Sequence, residues 1–164
     1  MSLEGSQAPE FELETTNGAT VSLSETLADG PTVVSINRGH WCSFCAEQIA
    51  TFSRVYEDLQ FNHDVDVLPV VTSDDADVAA MKERFDYRFP LLADPDGAVA
   101  EQYSGTEQTD LGGVTGISAI YVVDEDGEVV FEHVAEDLTD RVYGNYIRYF
   151  VADEYGGALE DPGF

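Results

Sequence analysis

The sequence contains few cysteines, few basic residues and no long apolar run. Its two cysteines are too few to build a disulfide framework in a chain of 164 residues, so a reducing compartment is expected. No apolar run approaches the ~20 residues that a membrane-spanning helix requires. Residues 1–5 have neither the basic start nor the apolar segment of a signal peptide, and we therefore expect a cytoplasmic protein.

Basic side chains are scarce in proportion to acidic ones. The chain has 7 Lys and Arg against 33 Asp and Glu, which gives a net charge of −26, and Lys82 is its single lysine. Such a charge repels phosphates and argues against nucleic acids and anionic membranes as partners. The excess could form one solvated acidic face, but the acidic residues are spread along the chain. We interpret it as halophilic adaptation, because the Debye length shrinks to ~3 Å in 1 M salt.

The two cysteines, Cys42 and Cys45, lie where a buried strand is predicted to end and a helix to begin. A C-x-x-C at such a junction is typical of a dithiol/disulfide redox site. The N–H groups of a helix start stabilise a negative sulfur, and Cys42 falls at that start. Two of the few potentially cationic side chains, Arg38 and His40, lie within four residues of it. Because Cys45 falls on the predicted core face, Cys42 is the better candidate for the attacking thiolate.

Other interpretations of these residues remain open. The cysteines could be two small core hydrophobes, since free cysteine is often buried and inert. They could be half of a zinc site, but that needs four ligands, and none of the three histidines has a suitable paired spacing. Arg38 could be an ordinary surface charge, and Trp41 could pack beside the site or contact a partner. The candidate catalytic residues are Cys42, Cys45, Arg38, His40 and Trp41, with no metal and no bound cofactor expected.

The apolar patterns predict alternating strands and helices. The predicted order is a hairpin (11–23), a short helix capped by Ser24 (25–28), a strand (32–36), a helix (43–61), a strand (65–72), a helix capped by Asp74 or Asp75 and carrying Val78, Met81 and Phe85, a strand (90–92), a short helix (97–103), a loop (104–116), a second hairpin (117–134) and a final helix (137–152). This order implies an α/β fold with a mixed central sheet and helices on both faces. We expect one domain over residues 1–164, with loose ends at 1–4 and 157–164.

Several motifs resemble the alkyl hydroperoxide reductase/thiol-specific antioxidant group of the thioredoxin superfamily. They are the opening Gly5-Ser-Gln-Ala-Pro-Glu-Phe-Glu-Leu, the hairpin around Asn17-Gly18, and Tyr121-Val-Val-Asp-Glu-Asp-Gly127. Arg38-Gly-His-Trp-Cys-Ser-Phe-Cys45 is similar to a peroxiredoxin-like subfamily that keeps a thioredoxin-style C-x-x-C. The resemblance, over about residues 5–150, implies a thioredoxin-like fold with an N-terminal β-hairpin. It also implies antioxidant reduction of peroxides or protein disulfides with a thioredoxin- or glutaredoxin-type reductant.

The resemblance also contains departures. Peroxiredoxins use Pro-x-x-x-Thr-x-x-Cys and a distant arginine; in that register Cys45 takes the peroxide-attacking position and Cys42 the threonine position. Arg38 then stands at the proline and Ser118 at the arginine. Ser118 also falls where thioredoxins place a cis-proline, and we expect a trans bond there because a cis bond before serine costs ~3 kcal/mol. The peroxiredoxin register makes Cys45 the nucleophile, whereas the position at the helix start favours Cys42 as the first nucleophile.

We therefore expect a thiol–disulfide oxidoreductase or peroxiredoxin-like antioxidant protein that cycles between the Cys42–Cys45 dithiol and its disulfide. Its substrate would be a peroxide or a protein disulfide, and the chain could form a homodimer. The alternative is a thioredoxin-fold redox sensor or binding protein with little peroxidase activity. The missing arginine at the Ser118 position favours that alternative, whereas the cationic residues Arg38 and His40 argue against it.

The acidic composition generates a prediction about stability. Raising NaCl from 0.1 M to about 2 M should raise the melting temperature, because screening weakens the repulsion among like charges. Thermal unfolding followed by circular dichroism measures this. A melting temperature that does not change with salt would contradict the halophilic interpretation.

Overall fold

A five-stranded mixed sheet forms the centre of the structure. The computed structural model describes residues 2–110 and 113–154. The elements in this part of the chain are β1 (Glu12–Glu14), β2 (Thr20–Ser22), α1 (Leu23–Leu27), β3 (Thr32–Asn37), α2 (Ser43–His63), β4 (Asp66–Val71), α3 (Asp75–Phe85), β5 (Leu92–Ala93), α4 (Ala98–Gln102), β6 (Thr106–Gln108), β7 (Val114–Gly116), β8 (Ala119–Val123), β9 (Val129–Val134) and α5 (Gly144–Glu154).

The central sheet has the order β5-β4-β3-β8-β9. Strand β3 pairs parallel with β4 and antiparallel with β8, and all six of its residues are buried. A strand covered on both faces needs a continuous apolar, β-branched run, which is what the sequence has here. β1 and β2 form the predicted N-terminal hairpin. These pairings confirm the mixed α/β architecture.

Helices cover both faces of the sheet. On one face, α2, α3 and α5 pack over a core that includes Ile49, Phe52 and Ile147. On the other face, α1 and α4 pack over a second core that includes Leu23, Val99 and Tyr121. β3 supplies both cores, because successive side chains of a strand point to opposite faces.

Helix α2 is the element that carries the candidate dithiol. It begins directly after β3 and runs to His63, two residues beyond its predicted end, before Asp64 ends it in a left-handed conformation. Its core face contains Cys45, Ile49, Phe52 and Leu59, all at most 2% exposed. Tyr56 lies at the edge of that face and donates its hydroxyl hydrogen bond to Asp66 (2.8 Å). The helical spacing therefore identified the buried face.

The final helix differs from its prediction. It begins at Gly144 rather than at residue 137, and residues 135–143 form an irregular connection from β9. Asp137 accepts a hydrogen bond from the Thr139 backbone N–H (2.9 Å), and the Asp140 N–H bonds to the Asp137 carbonyl (3.3 Å). Such local bonds offer the backbone an alternative to the helix. Leu138, which lies within the predicted helix range, is outside the observed helix and exposed.

Other predicted elements shift in detail. Residues 104–116, predicted as a loop, contain the antiparallel hairpin β6–β7. Helix α1 begins at Leu23 and is capped by Ser22 rather than Ser24, since Ser22 Oγ accepts from the Glu25 N–H (3.1 Å). Asp74 caps α3, where Val78 and Met81 are buried but Phe85 is exposed.

The two ends of the chain are described only in part. Residues 2–4, predicted to be loose, lie beside β9, where Glu132 accepts a hydrogen bond from the Leu3 N–H (2.9 Å). The predicted loose end at 157–164 lies outside the described residues.

The close approach of α5 to α2 at Gly144 yields a prediction. A Cβ atom at Gly144 would lie 2.5 Å from the carbonyl oxygen of Thr51, a backbone atom that cannot yield without moving α2. Gly144→Ala should therefore lower the free energy of unfolding by about 1–3 kcal/mol, measured by urea denaturation. Gly113→Ala is the control, because among the described residues its Cβ would meet nothing closer than 3.5 Å. Equal stability of the two variants would contradict the packing argument.

Candidate functional site

Cys42 is the N-cap residue of α2. Its backbone is extended, and its Sγ accepts a hydrogen bond from the Cys45 backbone N–H (3.2 Å). Its sulfur thus occupies the position where a serine or threonine oxygen usually caps a helix, next to the backbone N–H groups of the first turn and the positive end of the helix dipole.

Cys42 also lies beside a surface groove. The residue is 4% exposed, and it lines a groove of about 490 Å³ between the start of α2 and helix α3. The other residues of the groove are largely apolar or aromatic: Trp41, Ala46, Ala80, Met81 and Phe85, with His40, Ser43, Asp77 and Arg84. A substrate held in this groove would therefore lie against Cys42.

Cys45 lies one helical turn further and is fully buried. Its Sγ accepts a hydrogen bond from the Arg38 backbone N–H (3.4 Å) and lies 3.8 Å from Ser118 Oγ. Ser118 therefore contacts the dithiol, and the peptide bond before it is trans, as predicted.

The two thiols have opposite acidities. The hydrogen bond from the Cys45 S–H is the largest influence on the pKa of Cys42, and burial opposes it. With the Cys45 backbone N–H and the charges of Arg141 and Arg38, it lowers the pKa of Cys42 to about 5. The same S–H bond, burial and the Cys42 charge raise the pKa of Cys45 far above its usual range. At neutral pH Cys42 is the thiolate and Cys45 is its protonated partner.

Arg141 is a site residue that the sequence analysis missed. Its Nη1 lies 3.9 Å from the Cys45 Sγ and its Nη2 lies 4.0 Å from the Cys42 Sγ. It was missed because residue 141 was placed inside the predicted helix, almost a hundred positions after the cysteines. The scarcity of arginine was the one available signal, since each cation is unusual in so acidic a chain.

The other three predicted residues surround the dithiol in different ways. The Arg38 guanidinium stacks over the Trp41 ring, 4.8 Å from the ring centroid. The Arg38 charge lowers the pKa of Cys42, but by less than the Arg141 charge does. His40 is tied to the loop before α3, because its backbone N–H and its Nδ1 lie 3.0 and 2.9 Å from Ser73 Oγ. Trp41 is 51% exposed at the rim of the groove.

No metal or membrane feature appears in the described part of the chain. Residues 2–110 and 113–154 hold no cluster of three or more His, Cys, Asp or Glu side chains arranged for a metal ion. None of the helices in these ranges is both long and apolar enough to cross a bilayer.

The fold and site define a class of protein. A mixed sheet flanked by helices, with a dithiol at the start of the helix after a central strand, is the architecture of thiol-dependent oxidoreductases of the thioredoxin superfamily. Comparison with family models assigns the sequence more narrowly: residues 5–132 match the AhpC/TSA family, and the chain belongs to that family. It is therefore a thiol-dependent oxidoreductase of the group that reduces peroxides or disulfides.

The individual relatives include a thiol-disulfide oxidoreductase as well as peroxiredoxins. The chain is 26% identical to the thiol-disulfide oxidoreductase ResA of Bacillus subtilis, over 94% of this chain and 79% of the relative. Its structure resembles the peroxidoxin BcpB of Mycobacterium tuberculosis with a TM-score of 0.82 and 21% identity, covering 93% and 98% of the two chains. It also resembles the yeast mitochondrial 1-Cys peroxiredoxin, with a TM-score of 0.75, 17% identity, and coverage of 95% and 80%.

The difference in acidity between the two thiols can be measured by alkylation. Iodoacetamide should modify Cys42 of the reduced protein with a rate that rises through a midpoint near pH 5, because the reactive form is the thiolate. Cys45 should remain unmodified up to pH 8, as shown by peptide mass spectrometry. Alkylation of the urea-unfolded protein, with both midpoints near the ordinary thiol value, is the control. Modification of Cys45 first would contradict the assignment.

Proposed function

We propose that the protein reduces disulfide bonds with Cys42 as the attacking thiolate and Cys45 as the resolving thiol. The observation that carries this proposal is the unequal pair of sulfurs. Cys42 lies at the helix start beside a groove and is ionised, whereas Cys45 is buried and holds its proton. This arrangement is what a two-step exchange through a mixed disulfide requires.

The proposed exchange proceeds in two steps. In the first, the Cys42 thiolate attacks one sulfur of the substrate disulfide; that S–S bond breaks, a Cys42–substrate disulfide forms, and one substrate thiolate leaves. In the second, Cys45 gives its proton to the released thiolate or to water and attacks the Cys42 Sγ. The Cys42–substrate S–S bond breaks, the second substrate thiolate leaves, and the Cys42–Cys45 disulfide forms. The substrate gains two electrons and the protein loses two. A thioredoxin- or glutaredoxin-type dithiol would then reduce the enzyme.

The groove beside Cys42 supports a protein disulfide as substrate. It is about 490 Å³ in volume and open to the surface, with Trp41 and Phe85 exposed along it. Exposed aromatic side chains next to a reactive group are suited to holding an extended polypeptide segment. The relative ResA is a thiol-disulfide oxidoreductase, which is consistent with this choice.

Peroxide is the second candidate substrate, because a guanidinium lies beside both sulfurs. The peroxiredoxin register places Ser118 where that family has its arginine, but Arg141 supplies a guanidinium from a different part of the chain. Here Cys42 would attack the peroxide, forming a sulfenic acid and releasing an alcohol or water. Cys45 would then displace water from that sulfenic acid to give the same disulfide.

The non-catalytic alternative is a thioredoxin-fold redox sensor or binding protein with slow turnover.

The setting of this activity is proposed from the composition. Two cysteines forming one dithiol suit a reducing cytoplasm, and the net charge of −26 suits an interior of high salt. The proposed reductant class agrees with the yeast mitochondrial 1-Cys peroxiredoxin, whose thiol is resolved through the glutathione and thioredoxin systems. A homodimer is part of the proposal, and its test is light scattering in molar salt.

Single-cysteine variants test the order of attack. Cys45→Ser should accumulate a stable mixed disulfide with a peptide disulfide substrate, because the attacking sulfur is retained and the resolving one is lost. Cys42→Ser should trap almost none, since a buried protonated thiol reacts slowly. Non-reducing electrophoresis with mass spectrometry identifies the adduct, and the double variant is the blank.

The same variants separate the candidate functions. In stopped-flow mixing with hydrogen peroxide, a peroxidase should form sulfenic acid in Cys45→Ser much faster than a free thiol does. If only Cys42→Ser traps substrate or forms sulfenic acid, the peroxiredoxin register is correct and Cys42 is the resolving residue. If wild type reacts with neither disulfide nor peroxide faster than a free thiol, the sensor alternative replaces the proposed function.

A further inference from the structure

One guanidinium group contacts both sulfurs of the dithiol. The Arg141 Nη1 lies 3.9 Å from the Cys45 Sγ, and its Nη2 lies 4.0 Å from the Cys42 Sγ. The planar fork of an arginine fixes the spacing of its two terminal nitrogens, so both contacts can exist at once without a change of rotamer. A lysine ammonium in the same place would be a single point charge.

We propose that Arg141 is a catalytic residue that serves as counter-ion to both sulfurs in turn, first to the Cys42 thiolate and then to the Cys45 thiolate. The inference rests on the two-step exchange proposed above and adds a group that acts in both steps. The charge of Cys42 leaves with the first substrate thiolate, and a new charge forms on Cys45 when its proton passes to that thiolate or to water; the fork spans both positions. The positive charge therefore does not have to move.

The second step has the greater need of this charge. Cys42 is stabilised as an anion by the Cys45 N–H at the helix start and by the Arg38 charge. After the mixed disulfide forms, Cys45 must lose its proton while fully buried, and the other described groups near its sulfur are uncharged: the Arg38 backbone N–H (3.4 Å) and the Ser118 hydroxyl (3.8 Å). A buried anion with so few donors depends strongly on a neighbouring cation. Arg141 is already in contact with that sulfur before the step begins.

Helix α2 itself aims the guanidinium. Gln48, three residues after Cys45 and therefore on a neighbouring part of the same helical surface, accepts a hydrogen bond from the Arg141 Nη1 (3.4 Å). Its amide Nε2 donates to the Val142 carbonyl (2.9 Å), and the Arg141 Nε donates to the Leu138 carbonyl (2.9 Å). Gln48 is a positioning residue in this arrangement, because it touches the arginine rather than the sulfurs.

The connection that carries Arg141 is also fixed at its other end. Asp140 accepts a hydrogen bond from the Glu136 N–H (2.9 Å) and lies 2.8 Å from His133 Nε2 on β9. The Gly144 N–H donates to Thr51 Oγ1 (2.8 Å) on α2. Residues 135–143 are thus tied both to the edge strand and to the helix that carries the dithiol, which holds the arginine over the sulfurs.

The test resolves the two steps in one reaction with 4,4′-dithiodipyridine, a neutral disulfide that releases a chromogenic thiopyridone. Attack by Cys42 releases the first equivalent, and attack by Cys45 on the mixed disulfide releases the second. In Arg141→Gln the first phase should slow by about three- to tenfold and the second by about ten- to a hundredfold, in line with loss of a charged contact. The pH at which each phase is half-maximal should rise.

Two variants complete the design. Arg54→Gln removes a cation that is 64% exposed and pairs with Glu47 on the same helix, so it should leave both phases unchanged. Arg141→Lys keeps the charge but not the fork, and it should restore at most one phase. Gln48→Met keeps Arg141 but removes its hydrogen bond to residue 48, so it should slow the second phase with a smaller effect on the first. Circular dichroism and melting confirm that each variant is folded.

Several outcomes would overturn the inference. One is that both phases of Arg141→Gln match those of Arg54→Gln; another is that only one phase slows, which would assign the arginine to one sulfur. Slowing of both phases without any shift in their pH profiles would show a purely structural role. Failure of the proposed function gives a different result, since the first phase of wild type itself would then be no faster than the reaction of a free thiol.

Discussion

The site depends on keeping one sulfur negatively charged inside a molecule whose net charge is −26. The dispersed carboxylates oppose that anion, but most are at the surface, where water and salt screen them. Donors within 3–4 Å act through a much lower effective dielectric constant and therefore decide the outcome. The position of Cys42 at the first turn of α2 supplies such donors from the backbone, without adding a charge.

The same helix makes the two cysteines chemically different. Its N-cap position leaves Cys42 next to the groove, while one turn later the core face of α2 buries Cys45 completely. The hydrogen bond between the sulfurs then increases the difference, because the proton that Cys45 keeps stabilises the charge that Cys42 carries. A nucleophile and a resolving thiol follow from one helix boundary, and the exchange mechanism uses both.

Patterns along the chain predicted much of the fold because their physical causes are local. The β-branched run of β3 and the spacing of Cys45, Ile49, Phe52 and Leu59 on α2 identify elements that are buried where the pattern says. The region before α5 shows where this reasoning fails. Leu138 and Val142 fit a helical spacing, but bonds made by Asp137 compete with the helix, and the true core contacts of α5 are Ile147 and Val151.

The sequence by itself determined the dithiol, its place at a helix start and the family, because each depends on residues adjacent in the chain. Arg38, His40 and Trp41 could be placed near the cysteines for the same reason. Only the tertiary structure decided that Arg141 and Ser118 meet the sulfurs, 96 and 73 positions away from Cys45. Those contacts require β8 to pair with β3 and the 135–143 connection to pack against α2, and no pattern within a short stretch encodes packing between distant stretches.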